Sequence, residues 1–296
     1  GVRCHRRPRT RAADDPALRA AVSAAAEALP AWRNTSLTAR ARIMFRFREL
    51  VHERIDSGSS TLDLRVARPE GRPESGHVLV LVHGLPRLSG MGRQAAGLLP
   101  ELAAHLSHES GWTVATGTLS GVGSSTGTFS ATQWRQDLAT IIGAVATTDR
   151  RVSLAGFGFG GALSLAVAAA DEEIRGVATF AAPAYMDAWC GDPVTFRAAV
   201  LAAGVVSDEK DLLSADQLCE DVALIDPLAA IATIPPRRLL IGHGADDVEV
   251  PPSDARALVA AADGRAELRI INGAGHQLRA DPRMVATLLG WLDRHR

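Results

Sequence analysis

Between Arg151 and Asp171 the chain reads Val152-Ser-Leu-Ala-Gly-Phe-Gly-Phe-Gly-Gly-Ala-Leu-Ser-Leu-Ala-Val-Ala-Ala-Ala170, a long apolar run without a charge. The length approaches that of a membrane span. Gly156, Gly158, Gly160 and Gly161 crowd its first half, however, and a spanning helix does not place four glycines there. A buried strand at 152–155, a tight turn, and a buried helix at 162–170 explain the run better, so no stable membrane insertion is expected. The strand and helix both lack a polar face, and elements of that kind belong inside a sheet covered on both sides.

Working outward, the same alternation repeats. His77-Val-Leu-Val-Leu-Val82 is a continuous apolar run suited to a central strand. Leu62, Leu64 and Val66 alternate as a half-buried strand. Strands are expected at 112–118, 177–181, 238–242 and 266–271, and helices at 130–146, 253–262 and 281–294, with 184–226 mixed but mostly helical. Strands alternating with helices make βαβ units, so the fold class is α/β, a mainly parallel, doubly wound sheet with helices on both faces. Helices are also expected at 16–29 and 37–54, the second presenting Ile43, Phe47, Leu50 and Val51 on one face. Asp56-Ser-Gly-Ser-Ser60 reads as a linker. The domain organisation is therefore an N-terminal helical appendage over 1–58 and an α/β domain over 59–296.

Bulk properties exclude several classes. With 296 residues, 47% hydrophobic and 22% charged, the chain has ordinary globular composition and length enough for a large core. The formal net charge of −1 gives no general attraction to nucleic acid. Residues 1–55 hold 12 Arg against 5 acids, a net of +7 that leaves −8 for the remainder. The helix at 37–54 carries much of this as a solvated arginine face, and no nucleic-acid partner is expected. Lys210 is the only lysine, an Arg-for-Lys vocabulary that points to a GC-rich, bacterial genome. Cys4, Cys190 and Cys219 are odd in number and widely spaced, and read as free thiols of a reducing, cytoplasmic compartment. The N-terminus has no apolar segment of the secretory type. The remaining histidines, His105 and His108 included, show no metal spacing, so neither a metal nor a cofactor is expected.

The chemistry-bearing residues fall where parallel strands end, which is where ligands bind in such sheets. After the run at 77–82 comes His83-Gly-Leu-Pro86. Beyond 112–118 comes Ser120-Gly-Val-Gly-Ser-Ser-Thr-Gly127, and beyond 152–155 comes Gly156-Phe-Gly-Phe-Gly-Gly161. The strand at 238–242 leads into His243-Gly-Ala-Asp-Asp-Val-Glu-Val-Pro251, and the last strand into Gly273-Ala-Gly-His276. In this order the set resembles the α/β-hydrolase superfamily over residues 60–296, with the turn at 121–127 similar to a loop of small esterases and lysophospholipase-like members. The resemblance implies an α/β-hydrolase sheet with a helical lid insertion at about 184–226. It implies that His276 is the general base and Asp247 the acid that orients it, with Asp246 the near alternative. It assigns the oxyanion hole to the backbone N–H groups of Leu85 and Phe159. His83, Gly84, Tyr185 and Trp189 are the candidate pocket residues, with Met186, Phe196 and Leu201 beside them, for a small acyl or ester ligand.

One position departs from the pattern. The middle of the strand-turn-helix elbow, where the superfamily carries Ser, Cys or Asp, is Gly158. Glycine accepts the strained backbone of that turn but cannot form an acyl-enzyme. Ser153 and Ser164 lie in the strand and the helix, away from the apex. Three readings stay open: a pseudoenzyme that binds a ligand without chemistry, a His276–Asp247 dyad acting as a base without a nucleophile, and a Ser-to-Gly variant of an active serine hydrolase.

A second resemblance covers 13–54. Pro30-Ala-Trp32, then Ser36-Leu-Thr-Ala-Arg40, then Phe47-Arg-Glu-Leu50 are similar to the early helical segment of aldehyde dehydrogenases, nearest to the methylmalonate-semialdehyde type. No dinucleotide-binding domain or catalytic cysteine loop follows, so no dehydrogenase activity is implied.

Overall fold

The computed structural model describes residues 53–69, 75–86, 99–146, 150–206 and 208–295, together with Ser36 and Gly97. The chain divides between His52 and Glu53, and the fold described here is that of the second unit. The helices expected at 16–29 and 37–54 lie outside the described residues, apart from Glu53 and Arg54.

Eight strands form one sheet. They are β1 (Glu53–Ser57), β2 (Ser60–Ala67), β3 (His77–Val82), β4 (Thr113–Thr118), β5 (Arg151–Phe157), β6 (Gly176–Phe180), β7 (Arg238–Gly244) and β8 (Glu267–Ile271). Their order is β1-β2-β4-β3-β5-β6-β7-β8. The pairs β1–β2 and β2–β4 are antiparallel, and every pair from β4 onward is parallel. The helices are α1 (Leu99–Ser110), α2 (Ala131–Val145), α3 (Phe159–Ala170), α4 (Met186–Cys190), α5 (Pro193–Ala203), α6 (Ala215–Ala223), α7 (Pro227–Thr233), α8 (Pro252–Ala261) and α9 (Pro282–Asp293).

The strict period of two in a strand splits the core into two layers. Val78, Val80 and Val82 of β3 join one cluster with Trp134 of α2, Leu163 of α3 and Leu258 of α8. Leu79 and Leu81 face the other way, toward Leu102 and Leu106 of α1 and Met284, Leu288 and Trp291 of α9. Local signals set the helix ends. Ser130 caps α2 through the Gln133 N–H, and Ser214 with Gln217 forms a capping box on α6. Asp192, Asp226 and Asp281 cap α5, α7 and α9, each followed by proline.

Three expectations need correction. Residues 56–60 are not a linker: β1 and β2 form a hairpin across Gly58, with Ser57 opposite Ser60 and Gly58 at φ +58°. Glu53 and Arg54 accordingly belong to a strand, because pairing Glu53 with Leu64 and Arg54 with Asp63 satisfies backbone groups that local helical periodicity left open. The cysteines are not all free: Cys190 and Cys219 form a disulfide, with their Cα atoms 6.0 Å apart. Packing of α4 against α6 brings together two residues 29 apart in sequence, which linear spacing does not report. The region 184–226 is helical as expected, holding α4, α5 and α6, and Asp221 of α6 ties it to α2 by accepting from the N–H groups of Ala131 and Thr132 and from the Thr132 hydroxyl.

Candidate active site

The carboxyl ends of β3, β5, β7 and β8 converge. β5 runs straight into α3 through one residue, Gly158, at φ 54° and ψ −129°. That left-handed φ suits glycine and strains any other residue. The turn is pinned from below, because the Gly158 N–H donates to the Phe180 carbonyl of β6 at 2.8 Å. Close approach demands a second glycine: a Cβ on Gly160 would collide with the His83 carbonyl. Helix α3 can therefore begin directly beneath the loop that follows β3.

A Cβ built on Gly158 would stand 3.4 Å from His276 Nε2, 3.8 Å from its Cε1 and 4.0 Å from the Cα of Gly84. The elbow therefore presents to His276 a space that one small side chain would fill. On the other side of the ring, His276 Nδ1 lies 2.9 Å from Asp247 Oδ2. An Nδ1–H donated to the carboxylate leaves Nε2 as the lone-pair nitrogen facing Gly158.

Asp247 is held from all sides. Its side chain is fully buried. Oδ1 accepts from the N–H groups of Glu249 at 2.9 Å and Val250 at 3.0 Å. Burial pushes its carboxyl up, but hydrogen bonds from His243, His276 and Val250 outweigh that and hold it well below the usual carboxylate range. Asp246, the neighbouring candidate, is exposed, and its N–H instead closes the loop by donating to the Ala274 carbonyl. His243 was not singled out from the sequence. Its Nε2 donates to the Val250 carbonyl at 2.9 Å and lies 3.3 Å from Asp247 Oδ2, fixing the loop that carries the acid. The signal lay in its spacing, four residues before Asp247 at the end of a strand.

Leu85 in the loop after β3 and Phe159 at the first position of α3 are both buried, and N–H groups at that helical position lack internal acceptors. Gly84 borders the space above Gly158. His83 is not a pocket residue. It is 1% exposed, with Nδ1 donating to the Gly84 carbonyl at 2.9 Å and Nε2 accepting from the Leu119 N–H at 3.0 Å. Burial lowers its pKa to about 4, so the ring is neutral and structural. Trp189 stacks on Phe159 at 5.0 Å and meets Phe196 edge-on at 5.5 Å, so its ring supports α3. Tyr185 is exposed at the surface. Met186 and Phe196 are buried in the core, and Leu201 packs against it. The serines of the loop after β4 serve β2: Ser124 donates to Asp63 Oδ2 at 2.6 Å, and Ser125 accepts from the Asp63 N–H at 2.9 Å.

Comparison with known proteins identifies the family and the fold. The sequence pattern of the alpha/beta hydrolase family matches residues 79–288. Among solved structures the fold is similar to the ferulic-acid-bound Est1E of Butyrivibrio proteoclasticus, at 16% identity over 82% of this chain and 97% of that one, with a TM-score of 0.62. It is also similar to a proline iminopeptidase of Mycobacterium smegmatis, at 18% identity over 83% and 98% of the chains, with a TM-score of 0.61. An alpha-beta serine hydrolase homologue from Coxiella burnetii matches at 18% identity over 83% and 96%, with a TM-score of 0.55. At such identities the likeness concerns the fold. The aldehyde dehydrogenase pattern matches residues 8–85. A mitochondrial acylating methylmalonate-semialdehyde dehydrogenase of Arabidopsis thaliana is 53% identical over 39 residues, which span 13% of this chain and 6% of that protein. No helix among the described residues is long and apolar enough to cross a membrane.

Proposed function

The chain belongs to the alpha/beta hydrolase family, and from that premise we propose that it carries an acyl-ester site of the esterase lineage whose covalent nucleophile is missing. It binds a small acyl or ester ligand at the carboxyl ends of the strands without forming an acyl-enzyme. The supporting observation is the 3.4 Å between His276 Nε2 and a Cβ placed on Gly158. A hydroxyl there would meet the base, while glycine offers none. The N–H groups of Leu85 and Phe159 act as the oxyanion hole and hold the ligand carbonyl, and the helices of 184–226 act as its lid. A cytoplasmic location rested on three free thiols, and the Cys190–Cys219 bridge removes that support.

A second reading has its own observation. His276 Nε2 faces the space at Gly158 with Asp247 behind it, so the dyad is placed to take a proton from a water or an acidic ligand proton. Turnover of p-nitrophenyl acyl esters separates the two. The proposal expects an inactive native chain and activity in Gly158→Ser that is lost again in Gly158→Ser/His276→Ala. Native turnover abolished by His276→Ala would replace the binding role with dyad catalysis. A folded Gly158→Ser without turnover on a series of acyl lengths would overturn the esterase lineage.

A further inference from the structure

The opposite end of the sheet holds a cavity of about 380 Å³, lined by the amino ends of the central strands. His77 opens β3 and lies directly across from Arg151, which opens β5. Arg175 immediately precedes β6, and Arg238 opens β7. Trp112, Ser153, Gly176 and Trp291 are also in its lining. Two His–Trp pairs flank it, His77 with Trp112 at 4.5 Å and Trp291 with His295 at 4.7 Å.

Its charge is one-sided. Among the described residues, the carboxylate paired with these three guanidinia is Glu173, 3.2 Å from Arg175 and well exposed. Arg238 spends one N–H on the Arg294 carbonyl. His77 is held below its ordinary pKa first by burial and then by the charges of Arg151 and Arg238, so the two guanidinia act on the same small volume. Two buried ring nitrogens in the lining, Trp112 Nε1 and His295 Nδ1, have no hydrogen-bond partner. A cavity offering guanidinium donors and net positive charge is matched by a ligand that accepts through several oxygens and is an anion.

We propose that this cavity is a binding site for a phosphate-bearing small molecule, separate from the site at Gly158. Arg151 and Arg238 open β5 and β7, two strands apart with β6 between them, and strand spacing separates them by roughly 10 Å; Arg175 joins the lining from the residue before β6. That span exceeds one phosphate and suits a diphosphate.

Inorganic pyrophosphate titrated into the full chain at constant ionic strength, followed by tryptophan fluorescence, tests this. Saturable binding is expected, about tenfold weaker in Arg151→Gln and in Arg238→Gln and weaker still in the double variant. Both arginines are surface residues, so these variants keep the fold. Binding in His276→Ala matches the native chain. Absence of saturation, equal affinity in the arginine variants, or loss of binding in His276→Ala would each overturn the proposal.

Discussion

Gly158 combines a backbone that resists any side chain with a space that welcomes one. Placing Ser or Ala there at φ 54° costs about 1–3 kcal/mol of strain. Gly158→Ser and Gly158→Ala should therefore lose similar stability in urea, while only the serine variant gains esterase turnover. Equal stability to the native chain would mean that the turn relaxes. His83 makes a pH-dependent contribution. Its folded pKa, about 4, lies below the ordinary 6.5, so the unfolded chain binds the extra proton between those values. Stability from this residue is complete above about pH 6.5 and is lost as pH falls toward 4, by on the order of 3 kcal/mol. Urea midpoints across that range should show the loss, and His83→Asn should flatten it. Asp247, with its lowered pKa, adds a further loss only below the usual carboxylate range. At this scale Asp247, His276 and Gly158 were readable because each sits at a fixed offset from a strand end. His83 was misread because a histidine after a strand looks the same whether its ring faces a ligand or a neighbouring loop.

Among the elements, the short helix α4 has five residues and little stability of its own. It is held by the bridge from Cys190 to Cys219 in α6 and by the stack of Trp189 on Phe159. In chain-entropy terms, closing a loop across 29 positions is worth about 2–4 kcal/mol. Cys219→Ala, or reduction by a phosphine, should lower the melting temperature of the full chain, and reduction should then have no further effect on the variant. An unchanged melting temperature would mean that the helices of 184–226 are held by packing alone. The helix caps were legible, since Ser130, Ser214 and the Asp-Pro pairs mark starts by local chemistry. Helix α7 was not anticipated. Nor was the edge strand β1, whose residues are mostly exposed and whose pairing partner alone makes it a strand.

For the whole molecule, the hairpin moves the boundary of the α/β unit back to Glu53. Ser57 of β1 donates to Asp137 Oδ1 at 2.7 Å, and the same carboxylate accepts from the Ser120 N–H at 2.7 Å, joining the sheet edge to α2 and to the loop after β4. A chain beginning at Glu53 should fold cooperatively. One beginning at Ser59 should lose about 1–3 kcal/mol and melt several degrees lower. Identical melting curves would show that β1 is dispensable. The parallel sheet and the order of elbow, acid and histidine were written in local periodicity and in glycine placement, because both follow from geometry within a few residues. The disulfide, the edge hairpin, the support that His243 lends to Asp247 and the arginine-lined cavity depend on residues far apart in sequence. Nothing local distinguishes Cys190 from a free thiol, or Arg151 and Arg238 from ordinary surface charge. Only the folding of separate strands into one sheet sets them side by side, since those contacts are made by long-range packing and not by any pattern along the chain.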